Sequence, residues 1–260
     1  MSGLPRTILS HTEHRETLSR LLDLGDRALT TWEVTWSDFL TPPELAEAIR
    51  WVQPLGEIHL LAWGGYEQAE RVRVAIARSE LPLDPSVVPL AAIEISGNFL
   101  FDPASHRDFL GSMLGAGIER HKVGDLVGIG ERGAQAFVVP ELVDYLTLHL
   151  TQVRTVPVKT RAIDLTELKI RPPQIKEITT TEASLRLDAI ASAGFGVARS
   201  KMVELIQADQ VRVNWKSVTQ PSHHLNTGDL VVIRGKGRLL IGDILITKKE
   251  RFRIQLTRYS

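Results

Sequence analysis

The chain has 260 residues, 43% of them hydrophobic and 24% charged, which is enough apolar side chain for one to three packed domains. It contains no cysteine, which excludes disulfides and thiolate metal sites, and no run of ~18 apolar residues that would cross a bilayer. The net charge of zero hides an asymmetry: residues 1–182 hold 18 Lys+Arg against 25 Asp+Glu, a balance of −7, and residues 183–260 hold 13 against 6, a balance of +7. A basic segment on an acidic body suggests a polyanionic partner for that segment. The first residues, MSGLPRTILSHTEHRE, lack an apolar signal core and include acids, so a cytoplasmic location is expected.

In chain order, residues 11–29 place Leu18, Leu21, Leu22 and Leu29 near one face and predict an amphipathic helix. Thr41-Pro-Pro-Glu44 is a helix start: the threonine caps, the prolines fit the first turn and the glutamate favours the dipole. That helix is expected to end near residue 52. Residues 57–63 read as a strand, and Gly64-Gly65 turns the chain. Residues 66–78 are ambiguous, because they alternate through Val72, Val74 and Ile76 yet open with helix formers. Residues 81–86 read as a linker. Residues 91–96 predict a strand. Residues 105–114 predict a helix with Phe109, Leu110, Met113 and Leu114 as its apolar side, stopped by Gly115 and Gly117. Residues 125–129 and 134–139 read as strands around a Gly-rich turn, Pro140 opens a helix to about residue 150, and 156–163 is a further strand. This β-α-β-β-α-β order is the ferredoxin-like or RRM-like pattern. Several RNA-binding folds share it, and it does not fix function. Arg171-Pro-Pro173 and Thr179-Thr-Thr181 read as a second linker. The expected class is α+β: an N-terminal α/β domain over residues 1–88, a ferredoxin-like middle domain over 89–178 and a compact basic domain over 183–260.

In the basic domain, residues 184–193 predict a short helix ended by Gly194. Residues 198–208 predict a second, with Ala198, Met202, Leu205 and Ile206 spaced for burial. Arg199 and Lys201 project from its first turn, the positive end of the dipole, where cations lose a few tenths to ~1 kcal/mol. A phosphate would account for them: the helix N–H groups, Arg199 and Lys201 converge on one anion, and the Ser200 hydroxyl serves the same phosphate or a ribose. Residues 211–214 read as a strand with Arg212 between Val211 and Val213. Residues 230–234 and 238–244 form a hairpin around Gly235-Lys236-Gly237, whose glycines permit positive φ and leave Lys236 at the tip. Arg234, Lys236 and Arg238 are expected along one edge beside the helix pair.

The succession Arg186-Leu-Asp188, Gly194-Phe-Gly196, Ala198-Arg-Ser-Lys201, Val211-Arg-Val-Asn214, Gly228-Asp229 and Ile233-Arg-Gly-Lys-Gly-Arg238 resembles the S4 domain. That helix-pair-plus-strands module binds RNA in a small-subunit ribosomal protein, pseudouridine synthases, tyrosyl-tRNA synthetases and heat-shock ribosome-binding proteins. The resemblance implies RNA contacts at Arg186, Arg199, Ser200, Lys201, Lys216, Arg234, Lys236 and Arg238. Two positions depart from the pattern. The usual glycine at the helix-to-strand junction is Asp209, which tolerates the left-handed conformation better than most residues. The usual serine before the Arg-Ser pair is Ala198, which weakens the cap.

The stretch His106-Arg-Asp-Phe-Leu-Gly-Ser-Met-Leu-Gly-Ala-Gly-Ile118, with Arg120, Lys122, Val123-Gly-Asp125 and Gly133-Ala-Gln135, is similar to the middle domain of the YlmH family. Val213-Asn-Trp-Lys216 loosely fits its photosynthetic branch, the photosystem II S4 domain proteins. The family resemblance implies binding to rRNA or tRNA on the ribosome, and in some members association with stalled large subunits carrying peptidyl-tRNA in a quality-control pathway. Arg107, Arg120 and Lys122 are candidates for a second RNA surface.

Other patterns have plainer readings. Gly128-Ile-Gly-Glu-Arg-Gly133 matches G-x-G-x-x-G, but a strand follows instead of a helix, so a hairpin turn is expected. His106-Arg107-Asp108 has Met113 where a kinase loop needs asparagine and reads as helix surface. Arg186-Leu187-Asp188 resembles the pseudouridine synthase motif but continues as an amphipathic helix, which makes Asp188 a local helix or salt-bridge residue. His11 with His14, and His223-His224, lack converging metal ligands. Trp32, Trp36, Trp51 and Trp63 read as core, and Trp215 either packs or stacks on a base. No Ser-His-Asp set, P-loop or carboxylate pair stands out, so no catalytic residue, cofactor or metal is expected, and the mechanism reads as docking on RNA mainly by shape. Two alternatives stay open: an RNA-modifying enzyme that uses the S4 domain for targeting, and a protein-interaction factor, for instance in photosystem assembly.

Overall fold

The computed structural model describes residues 3–170, 174–233 and 235–259. The chain divides into two compact units, Met1–Ile170 and Arg171–Ser260. Among the described residues no helix is long and apolar enough to cross a membrane.

The first unit opens with a 3-10 turn (Arg6–His11), then α1 (Arg15–Thr31), β1 (Thr35–Trp36), α2 (Pro42–Trp51), β2 (Ile58–Trp63) and β3 (Arg73–Arg78). Helix α2 begins at Thr41 as its sequence predicts. The Glu44 carboxylate accepts from the Thr41 backbone N–H at 2.7 Å, from its hydroxyl at 2.6 Å and from the Thr17 hydroxyl at 2.6 Å. Burial pushes the Glu44 carboxyl up, but these hydrogen bonds outweigh it and hold the group below the usual carboxylate range. The ambiguous stretch resolves as β3, the middle strand of an antiparallel sheet ordered β1-β3-β2. Val74, Ala75, Ile76 and Ala77 are all fully buried, and burial on both faces erases the alternation that marks a half-exposed strand. Trp32 and Trp36, expected in the core, are instead exposed. Trp32 is the left-handed cap of α1, with the Arg78 guanidinium 3.8 Å from its ring centroid.

Next come β4 (Ala91–Ser96), α3 (His106–Gly115), β5 (Val123–Gly128), β6 (Gly133–Val138), α4 (Val143–His149), the short pair β7 (Gln152–Val153) and β8 (Val156–Pro157), and β9 (Lys159–Ile163). Ser105 and Asp108 cap α3 reciprocally, with both hydrogen bonds at 2.7 Å. The strand expected at 156–163 is split into two by Val158. The sheet runs β5-β6-β4-β9, wholly antiparallel, which is the ferredoxin-like order. Phe109, Met113 and Leu146 from α3 and α4 pack on Ile93, Ile95, Ala134 and Ala136. Gly128–Gly133 is the tight 3-10 turn joining β5 to β6.

The opposite face of this sheet is not open. Phe137 is fully buried against the Tyr66 ring, 5.6 Å away and inclined by 21°, and against Phe39. Gln135, also fully buried, donates to Glu94 and to the Glu167 carbonyl at 3.2 Å and accepts from the Lys169 N–H at 2.7 Å. The N-terminal segment and the strap near residues 167–170 therefore cover the surface on which RRM-type sheets stack bases.

Buried arginines hold the two halves of this unit together. Arg71 donates to the carbonyls of Val123 (2.9 Å), Phe39 (3.1 Å) and Arg120 (3.4 Å). Burial, with the Arg120 charge nearby, pulls its guanidinium down to about 10. Asp125 accepts from the N–H groups of Glu70 (2.7 Å) and Arg71 (3.1 Å) and from the Tyr66 hydroxyl (2.8 Å). Arg73 reaches the Ser37 carbonyl at 2.8 Å and also bonds that of Pro89.

The second unit contains β10 (Ile175–Glu182), α5 (Leu187–Phe195), α6 (Arg199–Gln207), β11 (Val211–Val213), β12 (Lys216–Ser217), β13 (Leu230–Ile233), β14 (Gly237–Ile246) and β15 (Phe252–Tyr259). Its sheet is ordered β10-β15-β14-β13-β11-β12. Thr179-Thr-Thr181, expected in a linker, lies inside β10, which pairs with β15 from Ile175↔Tyr259 to Glu182↔Phe252. β-branched threonines suit an extended pleat, and the partner strand lies some seventy residues downstream, out of reach of local pattern. Arg171-Pro-Pro173 lies outside the described residues. Helices α5 and α6 pack on one face, over Val211, Val231, Ile233, Leu239, Ile254 and Leu256.

Replacing Arg71 by methionine keeps its apolar stem and deletes its hydrogen bonds to carbonyls. The expected loss is about 3 kcal/mol, since a hydrogen bond to a charged group contributes ~1.5–3 kcal/mol. Urea unfolding followed by tryptophan fluorescence measures this, and a change under ~0.5 kcal/mol would show that the joint does not depend on Arg71.

Candidate nucleic-acid interface

The helix pair takes its geometry from its ends. Helix α5 stops at Gly196, which is left-handed at φ 66°, and α6 starts two residues later from Ala198, whose side chain caps nothing. Gly194 lets α5 lie on the sheet, because a Cβ there would meet a Leu239 methyl at 2.3 Å. Helix α6 ends through Asp209, left-handed at φ 57°, as its sequence position requires. Met202, Leu205 and Ile206 are buried as expected, whereas Ala198 is exposed. Its place is the cap before the helix, so its side chain leaves the face that the helical period assigns to it.

Asp188, in the first turn of α5, is the polar centre of the pair. It is 3% exposed and receives both candidate arginines. Arg186 Nε and Nη2 donate to its two oxygens at 3.0 and 3.2 Å, and Arg199 Nε donates to Oδ2 at 3.0 Å. Burial raises the Asp188 pKa, but the hydrogen bonds and charges of Arg186 and Arg199 outweigh it and hold the group below the usual carboxylate range. Both guanidiniums remain open to solvent, with side-chain exposures of 39% and 55%. Lys201 pairs with Glu204 at 2.8 Å in an exposed contact. Thus Arg199 shares Asp188 with Arg186 and Lys201 pairs with Glu204, and their place at the helix start does not need a phosphate to explain it. Ser200 is exposed in the same turn.

Lys236 is exposed in the β13–β14 turn, where Gly235 and Gly237 have φ of 75° and 100°. Arg258, absent from the expected set, ties this turn to the helix pair. Its Nη1 donates to the Phe195 carbonyl at 3.0 Å and its Nη2 to the Lys236 carbonyl at 3.5 Å. Nothing in RFRIQLTRYS distinguishes Arg258 from its neighbouring arginines. Arg238 alternates with buried Leu239 on β14, so it faces away from the helices instead of lining their edge. Lys216 opens β12, opposite Val213. Asn214 and Trp215 between them form a two-residue turn, both at positive φ, with the Trp215 side chain only partly buried. Arg234 lies outside the described residues.

In the first unit Arg107 is exposed in the first turn of α3. Arg120 donates to the Val123 carbonyl at 2.6 Å, and burial lowers its pKa. Lys122 pairs with Asp38 at 2.7 Å. The last two therefore belong to the joint between the halves of that unit. Among the described residues no cluster of three or more His, Asp or Glu side chains forms a metal site.

A helix pair on an antiparallel sheet, with clamped arginines beside a basic turn, defines an S4-type RNA-binding module. The family models match accordingly: the S4 domain over residues 185–231, the N-terminal domain of YlmH over 13–81 and the "Putative RNA-binding domain in YlmH" over 88–167. The protein named "Ribosome-associated protein quality control protein P2" of Bacillus subtilis (strain 168) is 33% identical over 223 residues, covering 85% of this chain and 86% of the relative. The chain belongs to the YlmH family. A solved structure, "Cell division protein ylmH from Streptococcus pneumoniae", matches with a TM-score of 0.51 at 22% identity over 61% of this chain and 95% of that one, a likeness of fold.

Because Asp188 titrates below its ordinary value when folded, its contribution to stability is complete above the unfolded pKa of ~3.9 and is lost as pH falls through the folded value. Asp188→Asn is expected to destabilise the second unit by about 2 kcal/mol at neutral pH, with the gap to wild type closing below about pH 4. Urea unfolding across that range measures the gap, and a gap independent of pH would refute the ion-pair account.

Proposed function

We propose that this protein docks on structured RNA through the helix pair and the β13–β14 turn of its second unit, and that the RNA is rRNA or tRNA on the large ribosomal subunit. The observation that carries this reading is the pair Arg186 and Arg199, both oriented by one buried carboxylate and both open to solvent. Guanidiniums fixed in advance lose little rotamer entropy on meeting phosphates, and an uncapped helix start leaves N–H groups for the same anion. Ser200, Lys201, Lys216, Lys236 and Arg234 complete the proposed contact, and Arg107 is the remaining candidate in the first unit. The name of the Bacillus subtilis relative supports the ribosome as the partner. The reading assigns a docking role without a catalytic step.

Ribosome co-sedimentation at two salt concentrations tests it. Wild type is expected to pellet with one subunit, and Arg199→Glu/Lys201→Glu/Lys236→Glu to stay in the supernatant. Since Arg199 also neutralises Asp188, Lys201→Glu/Lys236→Glu controls for folding and is expected to pellet less than wild type. If about six phosphates are contacted, the logarithmic salt slope is near −4, at ~0.7 per contact for single strands. Wild type that pellets with neither subunit at low salt would remove the ribosome as the partner.

A further inference from the structure

Arg186, Arg199 and Lys201 of the helix pair share two carboxylates, Asp188 and Glu204, so most of the surplus positive charge of the second unit lies elsewhere. Among the described residues, Lys248, Lys249, Arg251 and Arg253 are exposed and have no carboxylate partner. All four belong to the β14–β15 hairpin, where Glu250 is the one acid between residues 244 and 254.

The end of this hairpin has a defined shape. The Thr247 N–H donates to the Arg251 carbonyl at 2.7 Å, its hydroxyl accepts from the Arg251 N–H at 3.1 Å, and its carbonyl accepts from the Glu250 N–H at 3.0 Å. Glu250 is left-handed at φ 54°, as the last residue of a three-residue hairpin loop must be. Below the loop, Leu245 and Ile246 are 59% and 75% exposed. Leu245 stands directly across from Arg253, so an aliphatic side chain and a guanidinium lie side by side on one face. That face, turned away from the helices, also carries the cross-strand row Arg212, Val232, Arg238 and Tyr259.

We propose that the β14–β15 hairpin is a second RNA-contact element, with its cations on backbone phosphates and Leu245, on the face it shares with Arg253, against a sugar or base. The assignment rests on the RNA-docking reading above and adds a site distinct from the helix pair. Charge complementarity favours RNA over a bilayer. Four cations within six residues suit a polyanion, whereas Leu245, the one aliphatic side chain across from Arg253, holds a protein on lipid with weaker than about millimolar affinity. Two modest contacts on one rigid unit gain affinity through linkage.

The test titrates full-length protein with protein-free ribosomal RNA over a salt series. Lys248→Ala/Lys249→Ala/Arg251→Ala is expected to make the logarithmic salt slope shallower by about 2 to 3, at ~0.9 per phosphate on a duplex, and to weaken low-salt binding at least ~10-fold, with the melting curve unchanged. Leu245→Ser is expected to weaken binding about 3-fold at constant slope. A triple variant that keeps the wild-type slope and affinity overturns the hairpin assignment and leaves the helix-pair reading intact. Wild type without affinity for the RNA overturns both. Binding to phosphatidylserine vesicles that the triple variant abolishes, with the RNA slope unmoved, assigns the hairpin to lipid and also overturns the proposal.

Discussion

A carboxylate removed from water must have its charge matched, and in the second unit that requirement at Asp188 organises everything around it. Arg186 precedes α5 and Arg199 begins α6, so one buried carboxylate ties the starts of two helices together. The same contact takes two flexible cations and gives each a direction. Two positive charges shared with one negative leave a net positive site, and the guanidinium edges not used by Asp188 remain in solvent. The fold and the binding surface are thus built from the same atoms.

The first unit solves the reverse problem. Arg71 and Arg73 are buried cations, and their side chains are satisfied by backbone carbonyls instead of carboxylates. Carbonyls from distant segments converge on each planar fork, Phe39 with Arg120 and Val123 on Arg71, and Ser37 with Pro89 on Arg73, and the result is a joint between them. Arg120 and Lys122 are drawn into the same region. Partner type therefore separates the two kinds of arginine: those held by carbonyls in the interior assemble the fold, and those held by a carboxylate at the rim present a face.

Much of this architecture is legible locally. Thr41-Pro-Pro-Glu44 and Ser105 with Asp108 encode their helix starts within four residues, the G-x-G-x-x-G decoy is betrayed by the strand after it, and Asp209 accepts the left-handed turn that its position demands. What escapes the sequence is long-range or shared. Strand β10 is mostly exposed and gains its identity from β15. Arg258 has no local mark, and its role exists only once the β13–β14 turn is brought to Phe195. The basic positions of the S4 pattern can be named from sequence, but their counter-ions cannot. A reading of Arg199 and Lys201 from helix-dipole cost alone therefore overstates their need for an external anion.

The covered face of the ferredoxin-like sheet has a consequence for any attempt to divide this protein. Phe137 and Gln135 occupy the surface where such folds elsewhere meet nucleotides, and here they serve as adhesive between neighbouring segments of one polypeptide. Separated from the residues before 88, the middle segment would lose the Tyr66 and Phe39 rings that cover Phe137. Cutting the chain near residue 88 would bare an aromatic, amide-studded surface made for permanent cover, and the fragment's behaviour would report stickiness instead of biology. The chain's own division into compact units falls after Ile170, where one unit ends and the other begins.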